Sequence, residues 1–162
     1  MFNKEEIQEI REYLDKVGKE SRVYLGCDSQ KFKKHGEWWA RYTVVLIVHI
    51  NNCNGGKVFG YNMQERDYDK KFEKPRMRLM NEAYKVTEVY LELGDLLEDR
   101  EVEVHLDINP DEKWGSSCVI REAAGYVRGV CGIEPKVKPD AFAASYAADA
   151  VVRGRFEVRT VL

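Results

Sequence analysis

Between Val23 and Met63 the chain carries three β-rich segments separated only by short polar turns, and this run most constrains the fold. The segments are Val23 to Asp28, Glu37 to Ile50 with Trp38, Trp39, Val44, Val45 and Val48, and Lys57 to Met63. Lys31 to Gly36 and Asn51 to Gly56 read as the turns. Strands joined so tightly pair with their neighbours, which predicts an antiparallel three-strand meander. After a charged connection, Glu65 to Pro75, the periodicity changes. Leu79, Ala83, Val86, Tyr90, Leu93 and Leu97 fall on one helical stripe, predicting a helix over Arg76–Leu97. Glu101 to Asp107 then alternates, with Val102, Val104 and Leu106 on one face and Glu103, His105 and Asp107 on the other.

The rest follows the same logic. A helix is expected from about Ser117 to Gly129, a strand at Ile133–Lys138, and an alanine-rich helix over residues 140–153. The C-terminal FEVRTVL reads as a short strand or a tail. At the start, residues 3–18 predict a helix capped by Asn3 with Glu6 three residues on, striped by Ile7, Ile10, Leu14 and Val17, and ended by Gly18. A meander followed by helix–strand crossovers predicts an α/β fold. Its mixed five-stranded sheet, meander plus parallel strands, is flanked by helices. The 162 residues suit a single domain over 1–162, with the helix at 1–18 appended to the core.

Composition limits the function classes. With 44% hydrophobic and 33% charged residues the chain is globular rather than disordered. The net charge of -2 gives no overall attraction to nucleic acid, so such binding has to come from a local basic patch. Cys27, Cys53, Cys118 and Cys131 form no CxxC pair and the histidines are scattered, which argues against a zinc site. Cys27 and Cys118 lie in apolar runs and are expected to be buried thiols. The polar start, MFNKEEIQEI, resembles neither a signal peptide nor an anchor, and the longest apolar run, Val44 to Ile50, is too short for a bilayer. The expectation is a cytoplasmic protein with no membrane partner.

Two aspartates stand out. Asp28, in GCDSQ, ends the first strand, and Asp107, in HLDINP, ends the fourth. Aspartate is a poor strand residue and its charge is costly to bury without a partner. Ligands of α/β sheets gather at that same strand edge. The alternative is that each aspartate begins a turn and caps nearby amides. Lys31, Lys33 and Lys34, followed by His35, and Lys136 and Lys138 further on, are candidate phosphate contacts or else solvated surface. Trp38 and Trp39 read first as cross-strand packing and second as stacking surfaces for bases. His105 reads as a structural hydrogen-bonding group. No glycine-rich phosphate loop is present, which places a nucleotide phosphohydrolase last among the readings.

The stretches YLGCDSQ, RLMNE, HLDINP and KPDAFAASYAADA, in that order between Arg22 and Arg153, resemble the bacterial YkuK-type family of RNase H-like proteins. That resemblance implies that the first and fourth strands are neighbours and that each gives an aspartate to a two-metal site. It further implies a glutamate from the long helix and an aspartate from the last one. Glu82 lies on the rim of the buried helical face whereas Glu88 faces solvent, so Glu82 is the candidate; the position at which a similar RNase H stretch carries glutamate is Arg78 here. For the last helix, Asp149 in SYAAD is similar to the N-x-x-A-D pattern of RNase H enzymes, with Ser145 at the Asn position. It is preferred to Asp140, which follows Pro139 and reads as a helix cap; the alternative for Asp149 is a surface ion pair with Arg153. The implied set, Asp28, Glu82, Asp107 and Asp149, would hold Mg²⁺ or Mn²⁺, two ions ~4 Å apart driving an in-line displacement at phosphorus. The implied function is metal-dependent hydrolysis of phosphodiester bonds in RNA, DNA or a hybrid. The alternative is a catalytically inactive RNase H-fold protein that binds nucleic acid or serves as a scaffold.

Overall fold

A computed structural model describes residues 1–50, 55–70, 75–111, 113, 115–143, 145–146 and 159–161. The chain opens with helix α1 (Lys4–Val17) and continues through β1 (Arg22–Lys34), β2 (Glu37–His49) and β3 (Gly56–Arg66). Next come α2 (Arg76–Glu92), a single turn α3 (Gly94–Leu97), β4 (Glu101–Leu106), a 3-10 turn (Gly115–Val119) and α4 (Ile120–Cys131). A three-residue strand β5 (Arg159–Val161) is the last described element.

The meander is present: β1 pairs antiparallel with β2, and β2 with β3. β4 lies parallel to β1 on its other edge. These four strands form a mixed sheet, and β5 adds a short parallel rung to β3 at the far edge. Alternation along the strands decides which way each side chain points. Val23, Leu25 and Cys27 of β1, Val44 and Leu46 of β2, and Val104 and Leu106 of β4 share one core with α1, α2 and α4. Ile10 and Leu14 of α1 and Leu79, Ala83 and Val86 of α2 are buried in it, as the helical stripes require. The opposite face holds a smaller cluster, Tyr24 and Ile47 beneath Ala143.

Local chemistry explains the element ends. Asn3 and Glu6 form a reciprocal capping box on α1. α2 has no cap from its own flank; Asp69 reaches across and its two oxygens accept the backbone N–H groups of Met77 and Arg78, both at 2.9 Å.

Four expectations change. First, β1 runs on to Lys34, and the turn shrinks to His35 and Gly36, both at positive φ (50° and 80°). A lysine-rich strand survives there because Lys33 pairs with Trp38 across the hairpin and lays its ammonium over that ring, while Lys34 lies over Trp39. Second, the expected fifth strand, Ile133–Lys138, is reduced to one bridge, Lys136 beside His105. Among the described residues the segment follows β4 through three bonds alone: the Lys136 and Lys138 N–H groups donate to the Val104 and Ile108 carbonyls, and the Lys136 carbonyl accepts from Leu106. Third, the long helix stops at Glu92, and Gly94 opens the separate turn α3. Fourth, Cys118 is exposed, whereas Cys27 is buried as expected.

Candidate functional site

The pairing of β1 with β4 ends at Cys27 opposite Leu106. The next residue on each chain is an aspartate, so Asp28 and Asp107 emerge side by side from neighbouring parallel strands. Both point to the face opposite the helices, because Cys27 and Leu106 point into the main core. Asp28 is only partly exposed, and its carboxyl is pushed up to about 6. Burial is the larger cause and the neighbouring Asp107 charge the second; the Ser29 amide, Arg78 and Lys138 oppose the shift. Lys138 sets its ammonium 2.7 Å from Asp107 Oδ1. Its backbone N–H donates to the Ile108 carbonyl at 3.1 Å, which ties the 136–138 segment to the strand end that carries Asp107.

Glu82 approaches from the other side. It is buried on α2, and its Oε1 accepts a hydrogen bond from the Ser29 hydroxyl. Arg78, one turn earlier, donates through Nη1 to the Ser29 carbonyl at 2.8 Å and to its Oγ at 2.7 Å. Ser29 is thus the hinge of an Arg78–Ser29–Glu82 network directly beneath Asp28. Burial holds the Glu82 carboxyl well above the usual range, and the charges of Asp28 and Asp107 push it the same way. The structure therefore brings Asp28 and Asp107 together and places Glu82 behind them, turned onto Ser29. Asp149 lies outside the described residues. Asp140 lies in the turn after Pro139, its N–H bonded to the Val137 carbonyl at 2.9 Å.

Among the described residues no three His, Cys, Asp or Glu side chains converge as a ready metal site. The chemistry of the aspartate pair nevertheless suits a hard cation. Its donors are carboxylate oxygens, the preferred ligands of Mg²⁺ and Mn²⁺. The Lys138 ammonium on Asp107 marks the spot as one that draws positive charge.

The candidate phosphate contacts divide. Lys31 turns inward and pairs at 3.4 Å with Asp67, whose side chain is 1% exposed, so it braces the loop that caps α2. Lys33 and Lys34 are exposed near the hairpin tip, and Lys138 stands at the carboxylates. Lys136 sits in the one-residue bridge. His105 is fully buried; its Nδ1 accepts the N–H groups of Phe142 and Ala143, both at 3.1 Å, while Nε2 faces Glu103. It anchors the segment that covers the second sheet face. Sequence reasoning missed Ser29, although alternation from Cys27 places Ser29 on the helix-facing side of β1. It also treated Arg78 only as a missing glutamate.

No curated protein and no solved structure matches the chain. A family model described as Ribonuclease H-like matches residues 5–153, a span running from α1 past Asp149. Asp28 thus lies within β1 rather than at its end, beside Asp107 where β4 parts from it; with the family match over most of its length, the chain belongs to the Ribonuclease H-like family, as YLGCDSQ and HLDINP suggested.

Proposed function

We propose that this chain is a divalent-metal-dependent hydrolase of phosphodiester bonds in nucleic acid, with Asp28 and Asp107 as the central cation ligands. The RNase H-like fold is associated with nucleic acid. The observation that carries the reading is the pair of aspartates side by side where β4 parts from β1, with an ammonium already drawn to one of them. In the proposal Glu82 and Asp149 complete the carboxylate set. Mg²⁺ or Mn²⁺ bound there supplies Lewis-acid polarisation of the phosphodiester and a lowered pKa for water. The residues have separate tasks. Asp28 keeps a proton below about pH 6 and releases it to act as a ligand. Lys138 orients Asp107 and carries a positive charge toward a phosphate oxygen. Arg78 holds Ser29, and through it the position of Glu82.

A second reading, a nucleic-acid-binding protein without cleavage, is favoured by one feature. Arg78 and Lys138 partly neutralise the carboxylates, and Glu82 is spent on Ser29 rather than aimed at the aspartates. Incubation of labelled RNA–DNA hybrid, duplexes and single strands with Mg²⁺ or Mn²⁺ separates the two. Cleavage by the wild type that disappears in Asp107→Asn, with the fold unchanged by circular dichroism, supports the hydrolase. Binding without cleavage supports the second reading. Equal cleavage by Asp107→Asn shows the site to be elsewhere.

A further inference from the structure

β1 does not stop at Asp28. It continues for six residues past Asp28, and the same alternation governs that extension. Every second residue after Asp28 therefore lies on the face that carries the carboxylates: Gln30, then Phe32, then Lys34. Their partners on β2 are Arg41 opposite Gln30, Trp39 opposite Phe32 and Glu37 opposite Lys34, the Glu37 carboxylate being paired with Arg66. Cross-strand neighbours of this kind are in side-chain contact. The Arg41 guanidinium stands 5.6 Å from the centre of the Phe32 ring, and the Lys34 ammonium 5.2 Å from Trp39. At about 3.3 Å per residue, the Phe32 ring lies roughly 13 Å along the strand from Asp28 and Lys34 roughly 20 Å.

Among the described residues, the cover of this face stays to one side of the extension. Ala143 lies over Tyr24 and Ile47, on the other side of Asp28. Gln30, Lys34 and Arg41 are exposed, and Phe32 and Trp39 are half-exposed. A sheet surface with two rings, two exposed cations lying against them and an amide thus leads directly to the paired aspartates. Aromatic faces interleaved with cations are what single-stranded nucleic acid uses: bases stack on rings and phosphates meet the cations. A duplex, whose bases are already stacked, gains nothing from the rings.

We infer that the β1–β2 extension, through Phe32, Trp39, Arg41 and Lys34, is a binding platform for single-stranded nucleic acid that feeds the strand toward Asp28 and Asp107. The inference rests on the proposed action on nucleic acid, but its test does not depend on cleavage. The local cations also supply the basic patch that a chain of net charge -2 needs.

The experiment is fluorescence anisotropy of labelled oligo-dT, oligo-rU and a duplex of equal length, in EDTA at low salt. Both single strands are expected to bind more tightly than the duplex, and the comparison of the two shows whether the sugar is read. Phe32→Ala and the milder Phe32→Leu, which keeps apolar bulk but has no ring, are expected to weaken single-strand binding roughly fivefold to a hundredfold. Arg41→Gln is expected to lower the salt dependence by about one counterion. Unchanged melting of Phe32→Leu shows that the fold is intact. Asp28→Asn is expected to bind normally while losing metal-dependent cleavage, so binding that persists without any cleavage leaves the platform standing and overturns only the hydrolase. The platform is overturned if neither single strand binds, if the duplex binds best, if heparin competes as well as oligonucleotide, or if Phe32→Leu and Arg41→Gln bind as the wild type does.

Discussion

Asp28→Asn should stabilise the metal-free protein, and by an amount that depends on pH. In the folded chain the Asp28 carboxyl is raised from 3.8 to about 6 by burial and by Asp107. The native state therefore holds a proton that the unfolded chain releases at lower pH. Stability from this source is fully present below about pH 4 and is lost as pH rises through about 6. A difference of about 2 units, at about 1.4 kcal/mol per unit, makes the ionised Asp28 cost about 3 kcal/mol above that window. Asparagine keeps the shape and cannot ionise. At about pH 8 in EDTA the variant should be more stable than wild type by roughly 2–3 kcal/mol, or about 4–12 °C in Tm for a chain of this size. At about pH 4 the two should nearly coincide. Urea denaturation of both proteins across this range measures the difference directly. Glu82 is raised in the same direction, in part by the Asp28 charge, so its relief in the variant widens the gap at high pH. A variant that is no more stable than wild type at high pH, or a gap that does not close toward low pH, refutes the claim that Asp28 is a desolvated carboxylate facing a like charge.

Millimolar Mn²⁺ should raise the melting temperature of the wild type by relieving the same repulsion, and should raise that of Asp28→Asn less; equal shifts in a melting scan would place the cation elsewhere. Ser29→Ala removes the hydroxyl that donates to buried Glu82 and accepts from Arg78, and should destabilise by about 1–3 kcal/mol in chemical denaturation, most strongly at high pH where Glu82 is charged. His105→Ala removes a fully buried ring and the acceptor of two amide N–H groups, and should cost about 2–4 kcal/mol. Burial lowers the His105 pKa, so its contribution is present above the ordinary value of 6.5 and fades as pH falls below it. The wild type should lose stability from this source on acidification, and the alanine variant should not.

The sequence by itself determined the features that rest on local period. Alternation within VYLGCDSQ and VEVHLD put Asp28 and Asp107 on one face and their apolar neighbours on the other. The helical wheel chose Glu82 over Glu88, and Glu82 is buried on α2. The Asn3–Glu6 spacing announced the start of α1. Only the tertiary structure decided the rest, because it depends on groups distant in the chain. Strand β1 beyond Asp28 turns Ser29 and Lys31 rather than apolar side chains toward the helices, so its apolar period fades and KFKK reads as a turn; Trp38 and Trp39, arriving from β2, give the lysine stems a surface to lie on. The proposed strand at 133–138 had the right apolar positions, yet it follows β4 only through the bridge at Lys136 and the Lys138 N–H, and it delivers Lys138 to Asp107. Nor could any local pattern show that Asp69 caps α2 or that Arg78, on that helix, would grip Ser29. Charge partners carry no sequence period: which cation meets which carboxylate is settled only when the sheet and its helices pack.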